Sequence, residues 1–372
     1  MARPPRLSRG RSARHKLMRI VSIVGARPQF IKIAALSPVL RKKHEEIIVH
    51  TGQHYDFLLS QVFFDQLNIP KPDYFLGAGR DTNAKQVSKM VAALDDLLPR
   101  LKPDLVLVYG DTNSTLAGAL AAVYNNLPFG HVEAGLRSYQ KEMPEETNRI
   151  AADHLADFLF CPTPHKVKIL ESEKARGKAV WSGDLMLDAA LRFLPLAREN
   201  GLDSKMPFSP GEYIYITLHR AENVDTRPRL EQVVKILQML KEPVVFPIHP
   251  RTKSRLKKFG FWEQVGRLKN LWMIAPVGYL QSLALLDGAR YCLTDSGGLQ
   301  REAFFFDRPC LILRSTTEWP EILKGNFSRL VDLNAEAVKK WMAREKGKRS
   351  YPLRLFGGGR TAEKITSFIS RL

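Results

Sequence analysis

Tyr291-Cys292-Leu293-Thr294-Asp295-Ser296-Gly297-Gly298-Leu299-Gln300-Arg301-Glu302 is the stretch that decides the fold. A short apolar run enters two glycines and continues in a helical pattern. A strand that turns through glycine into a helix presents free backbone N–H groups to an anion. Ser296 Oγ adds a further group at the same turn, so a diphosphate is the expected ligand. Glu302 lies one and a half turns into the helix. An acid there suits a ribose diol better than a phosphate, because like charges repel.

The same alternation extends outward from this segment. Apolar runs at 213–217, 244–248, 271–274 and 310–313 alternate with helical patterns such as 229–240. An earlier set runs from 18–24 through 46–50, 105–109 and 129–132, each followed by glycine or a polar residue. Strands alternating with helices predict open parallel α/β sheets. Residues 192–211, rich in Pro, Gly and charge, read as the linker between two such units. The expected organisation is a basic, disordered tail at 1–17, a first Rossmann-like domain at 18–195 and a second at 205–355. A final helix at 356–372 would dock on the first domain.

Bulk properties narrow the class. The chain has 372 residues, suited to two domains, and 44% of them are hydrophobic, as in soluble globular proteins. No apolar run approaches about 18 residues, which argues against membrane insertion. Three scattered cysteines do not make a disulfide scaffold, and their usage fits a reducing cytoplasm. The net charge is +19, from 57 basic and 38 acidic residues. Arg3, Arg6, Arg9, Arg11, Arg14, Lys16 and Arg19 concentrate part of that excess at the amino end, in a segment without the apolar core of a signal peptide. The rest is spread over polar helix faces. A polyanionic substrate accounts for the balance as well as nucleic acid does, and a primary nucleic-acid role is not expected.

Parallel sheets place working loops at the carboxyl ends of their strands. Arg27, Gln53, Asp111, Glu133, His219, His249 and Ser296 all follow such ends. Gly25-Ala26-Arg27-Pro28 joins a strand to a helix without a dinucleotide-binding glycine triplet. Arg27 there is placed to meet an anion, and Lys32, one turn on, points toward the same space. Asp111 serves equally as a helix cap and as a site residue. Strand alternation puts His131 and Glu133 on one side. Glu145 and Arg149 are four apart on one helix face, which suits either a site pair or a surface ion pair. His219 and His249 lack a third ligand at metal spacing, so no metal is expected. Arg314 and Glu318 flank the last strand end, with Trp319 beside them.

Taken together, these motifs resemble the non-hydrolysing UDP-N-acetylglucosamine 2-epimerases, from about residue 18 to 372. The likeness rests on Gly25-Ala26-Arg27-Pro28 with Lys32, Gly52-Gln53-His54, Gly110-Asp111-Thr112, residues 131–137 and 144–149, His219-Arg220, residues 295–302 and Thr317-Glu318. It implies a GT-B-like pair of domains around a central cleft, no cofactor, a homodimer and a UDP-sugar substrate. The reaction implied is inversion at C2 of UDP-N-acetylglucosamine, giving the manno epimer through loss of UDP to 2-acetamidoglucal and its re-addition. By resemblance, Asp111, Glu133, Glu145 and His219 are catalytic. Arg27, Lys32, Arg149 and Arg314 would neutralise the departing UDP. Gln53, His54, Arg220 and His249 join the substrate set. Ser296, Gly297, Gly298 and Glu302 match the UDP-binding segment, and Tyr279 would lie against uracil.

Two departures qualify the likeness. Well-known bacterial members have a second arginine where Ala221 stands, and a longer polar residue in place of Asp56. Both positions belong to an allosteric substrate site there, so activation by substrate should be weak or absent. Those members also have arginine in place of Trp319. That change suggests a branch acting on modified sugars such as UDP-2,3-diacetamido-glucuronate, which is the alternative substrate. A GT-B glycosyltransferase, a hydrolysing epimerase, a noncatalytic sugar-nucleotide sensor and a nucleic-acid-binding module are the rival readings. The clustered acids argue against the first and third.

Overall fold

The computed structural model describes residues 17–53, 63–200, 206–344 and 352–372. The basic tail up to Lys16, together with His54 and Asp56, lies outside the described residues. The first sheet contains β1 (Arg19–Val24), β2 (Glu45–His50), β3 (Tyr74–Phe75), β4 (Leu105–Tyr109), β5 (Phe129–Val132), β6 (Phe158–Cys161) and β7 (Lys178–Trp181). Their order is β3-β2-β1-β4-β5-β6-β7, all parallel. The second contains β8 (Ile214–Thr217), β9 (Val244–Pro247), β10 (Leu271–Ile274), β11 (Tyr291–Thr294), β12 (Cys310–Ile312) and β13 (Ser328–Leu330). Its order is β10-β9-β8-β11-β12-β13, again parallel. Two Rossmann-like sheets flanked by helices are consistent with a GT-B-like arrangement.

The central strands are buried on both faces, as all of β4 is, because helices cover each side. One covering helix, Asn83–Leu101, buries Met90, Leu94, Leu98 and Leu101 along one face. Each such side chain contributes roughly 1.5–3 kcal/mol on burial. Thr82 caps its start by accepting from Lys85 N–H at 3.4 Å. Edge strands β3 and β13 are absent from the sequence reading. They have two and three residues, too few to show a period.

The expected linker is a linker only in part. Arg192 to Asn200 continue the helix Leu185–Asn200, despite Pro195 within it. An interior proline costs about 3 kcal/mol. Burial of Leu187, Ala190, Phe193 and Ala197 on one face offsets that cost. This helix packs against both Arg27–Leu40, beside the first sheet, and Tyr279–Gly288, beside the second. The terminal helix Thr361–Ile369 also packs on Arg27–Leu40. Its Phe368 meets Phe160 edge-on at 5.5 Å. Among the described residues, no helix is long and apolar enough to cross a membrane. Cys161, Cys292 and Cys310 are buried free thiols.

Candidate active site

Each sheet changes direction of strand order once, between β1 and β4 in the first and between β8 and β11 in the second. Side-by-side strands whose connections run opposite ways leave a crevice at their carboxyl ends. Arg27 and Asp111 follow β1 and β4, and His219 and Ser296 follow β8 and β11. Gly25 is needed at the first of these ends. A Cβ there would sit 1.9 Å from Thr51 Oγ1.

Glu133 is the centre of the first-sheet constellation. It follows β5 at φ +74°, an uncommon backbone for a glutamate. Strand alternation therefore stops before it, and Glu133 and His131 do not share an environment as expected. His131 is fully buried, with Nδ1 2.8 Å from Asp153 and Nε2 2.7 Å from the Gly110 carbonyl. Glu133 instead pairs with Lys32 and lies 3.3 Å from Arg301 Nη1, with 9% of its side chain exposed. Arg301 Nη1 is also 2.8 Å from Asp184 Oδ2. Burial pushes the Glu133 carboxyl up, but Arg301, Lys32 and Arg149 outweigh it and hold it below its ordinary value. Asp184 moves the other way, raised by burial and by the charge of Glu133 against the pull of Arg301.

Arg149 is buried and divides its guanidinium between Asp111 and Glu146, the latter at 2.7 Å. The expected Glu145–Arg149 pair is thus replaced by Glu146–Arg149. Spacings of three and four both bring helix side chains together, and the loop settles the choice. Glu146 accepts from the Ser138 hydroxyl at 2.8 Å and Tyr139 N–H at 2.8 Å, whereas Glu145 is exposed. Gln53 accepts from Ser114 N–H at 2.9 Å, at the start of helix Asn113–Tyr124. Its carbonyl accepts from Gln86, which binds Asn113, which accepts from Asn148, which in turn donates to the Asp111 carbonyl. A chain of amides therefore links Gln53 to Asp111.

On the second sheet, buried Asp295 organises the loop after β8. It accepts from His219 N–H at 3.1 Å, Arg220 N–H at 2.9 Å and Asn223 at 3.1 Å. His219, 42% exposed, sets Nδ1 3.4 Å from Asp295, and its ring lies 5.4 Å from that of His249. Burial, then the charges of His219 and Arg27, lower His249. His249 also caps its helix by accepting from Arg251 N–H at 3.2 Å. Exposed Arg27, a first-sheet residue, thus acts electrostatically on a second-sheet loop.

Ser296 caps helix Gly297–Phe305, accepting from Leu299 N–H at 3.4 Å. The space before that helix is open. A Cβ on Gly297 would meet nothing nearer than 3.8 Å, with Arg220 Nη2 next at 3.9 Å. Burial raises Glu302 to about 7, against the opposing influence of Tyr279 and Arg301. The Tyr279 hydroxyl faces that carboxyl without closing a standard hydrogen bond.

Two expected ligand groups are occupied otherwise. Tyr279 is buried edge-on against Phe193 at 6.3 Å, so its ring is core rather than a face for uracil. Arg314 is buried in a two-pronged pair with Glu318, both contacts 2.9 Å, rather than held open for phosphate. Burial would raise Glu318, but Arg314, aided by Arg149 and Arg220, brings it down to about 2. The sequence reading missed Asp184, Glu146 and Arg301 as parts of the constellation. Asp184 carries the signal used elsewhere, an acid just past a strand end. Arg301 carries none, since on sequence it is one more basic residue on a helix.

Comparison with known proteins identifies the family. The family model for UDP-N-acetylglucosamine 2-epimerase matches residues 39–370. A UDP-N-acetylglucosamine 2-epimerase homolog of Methanococcus maripaludis is 42% identical, over 95% of this chain and 100% of that protein. The UDP-2,3-diacetamido-2,3-dideoxy-D-glucuronate 2-epimerase of Pseudomonas aeruginosa is also 42% identical, over 95% of this chain and 100% of that one. The crystal structure of Methanocaldococcus jannaschii UDP-GlcNAc 2-epimerase in complex with UDP-GlcNAc and UDP superposes with a TM-score of 0.85. It is 37% identical and covers 95% of this chain and 100% of that one. The chain belongs to the UDP-N-acetylglucosamine 2-epimerase family, non-hydrolysing type.

Proposed function

We propose that the protein interconverts UDP-N-acetylglucosamine and UDP-N-acetylmannosamine by elimination and re-addition of UDP. Residues 18–195 and 205–355 form the two domains of this reading, and the substrate lies in a cleft between them. The observation that carries it is the buried Lys32–Glu133–Arg301–Asp184 cluster. It joins a strand-end carboxylate of the first sheet to the helix that begins with the phosphate segment of the second.

In this reading the diphosphate sits at the open start of helix Gly297–Phe305, beside Ser296, Gly298 and Arg220. Glu302 takes the ribose. Glu133 rests as a carboxylate and accepts the proton from C2. The C2–H electron pair becomes the C1–C2 double bond, and the C1–O bond breaks with its pair leaving on UDP. Arg27, Lys32 and Arg149 stabilise charge as it develops on the leaving group. On return, a UDP oxygen attacks C1 and an enzyme acid delivers a proton to the other face of C2. Asp111, Glu145 and His219 complete the proton-transfer set. The proton taken and the proton given are different, so solvent hydrogen enters at C2.

A second reading is inversion of UDP-2,3-diacetamido-glucuronate. The full-length likeness to the Pseudomonas aeruginosa enzyme and the tryptophan at 319 favour it. Incubating the protein with each UDP sugar and following products by proton NMR tests the choice. Inversion of UDP-N-acetylglucosamine supports the first reading. Inversion of the glucuronate alone selects the second. Release of free N-acetylmannosamine contradicts both.

A further inference from the structure

Arg301 belongs to the same helix as the phosphate segment, yet its carboxylate partners Glu133 and Asp184 belong to the first sheet. Its guanidinium is buried, 2.8 Å from Asp184 and 3.3 Å from Glu133. Its plane is supported from the other side by Trp319, whose ring centre is 4.1 Å from Cζ. Trp319 is 2% exposed, so this stacking is shielded from water. A desolvated guanidinium on an indole face is held by both quadrupole attraction and packing. Trp319 thus holds the Arg301 guanidinium in place on the face opposite its carboxylate partners.

Resting on the reading above, in which Glu133 exchanges a proton with the sugar, we infer that Arg301 is a positioning residue for that step. It ties the charge state of Glu133 to the placement of the nucleotide-binding helix. The groups facing Glu133 come from four elements. Lys32 lies on helix Arg27–Leu40, Arg301 on Gly297–Phe305, Arg149 on Pro144–Leu155, and Asp184 just after β7. Among them Arg301 is the cation supplied by the second sheet. Movement of that helix removes positive charge from Glu133 while Lys32 and Arg149 stay with the first sheet. A cation within about 4–6 Å lowers a carboxyl pKa by about 1–3 units, so its loss moves the carboxyl back up.

The test is the pH dependence of kcat/KM for C2 inversion in wild type, Arg301→Gln, Arg301→Lys and the double variant Asp184→Asn with Arg301→Gln. The double variant removes the buried ion pair as a unit, so the fold is not left with an unpaired Asp184. The acid limb should move to higher pH by about 1–2 units in Arg301→Gln, by less in the double variant because the Asp184 charge is lost with the cation, and return toward wild type in Arg301→Lys. Activity lowered equally at every pH, with the limb unmoved, would assign Arg301 a purely structural role and overturn the inference. If wild type inverts no UDP sugar, the functional reading has failed. The inference is then judged from the carboxyl 13C titration of Glu133, identified with Glu133→Gln. An upward shift on replacing Arg301 supports it, and an unchanged titration overturns it.

Discussion

Two buried charge clusters lie within a few residues of each other on the first sheet, and they behave differently. Asp153 is closed on all sides by His131, Gly135 N–H and Arg137, with Arg137 tied onward to Glu173 at 2.9 Å. Burial pushes Asp153 up, and His131 and Arg137 more than reverse it. Every one of these partners belongs to the first sheet. Glu133 is equally well supplied with cations, but one of them, Arg301, reaches across from the second sheet. Buried charge is therefore not what distinguishes a site here. What distinguishes it is that the second cluster adjoins an open helix start and depends on both halves of the chain.

The comparison breaks most visibly if the two acids are neutralised. Glu133→Gln should lower turnover by about 100- to 10,000-fold while the protein still melts cooperatively, as expected for loss of a proton-transfer group. An inversion assay beside a thermal melt checks this. Asp153→Asn should do the reverse. It leaves buried cations uncompensated and should cost about 3–5 kcal/mol in urea unfolding, because breaking a buried pair is far costlier than replacing it whole. An unfolded Glu133→Gln beside a stable, inactive Asp153→Asn would exchange the two assignments.

A smaller effect concerns Glu302. Its carboxyl in the fold is at about 7, above the ordinary 4.5. The native state then holds that proton more tightly than the unfolded chain does. Its stabilising contribution is complete below about pH 4.5, falls as pH rises toward 7, and is lost above that. The difference is about 3 kcal/mol. Glu302→Gln should remove this decline, so urea unfolding at pH 5 and pH 8 should differ less than in wild type. Its affinity for UDP should fall. The smallest effect is at Gln53, whose side chain caps a helix at Ser114. Rate against UDP-N-acetylglucosamine should be hyperbolic, and Gln53→Ala should leave the shape of the curve unchanged. Sigmoidal kinetics abolished by that substitution would mean the substrate-activation site persists.

The strand ends were legible because a buried parallel strand writes a continuous apolar run that breaks off at a polar residue or a glycine. That is why Arg27, Asp111, Glu133, His219 and Ser296 stand out in the chain. Partner choice was not legible. Spacing admits Glu145 or Glu146 for Arg149, and only the Ser138–Tyr139 loop selects the second. Arg314 and Tyr279 have the right types for phosphate and base, but tertiary packing has given one to Glu318 and the other to Phe193. Arg301 was invisible because its burial comes from tertiary contacts, Glu133 and Asp184 on one side and Trp319 on the other, which leave no local pattern. The proline within Leu185–Asn200 misled in the opposite sense, since burial of one helix face outweighs the local signal.

The central claim is that a first-sheet carboxylate and a second-sheet phosphate segment act on one sugar nucleotide. Its most direct test is incubation with UDP-N-acetylglucosamine in deuterated water, with NMR of product and recovered substrate, for wild type and Glu133→Gln. The account predicts deuterium at C2 of the inverted product from wild type, and inversion and exchange slowed together by about 100- to 10,000-fold in the variant. Inversion with protium retained at C2, or full exchange by Glu133→Gln, would contradict it.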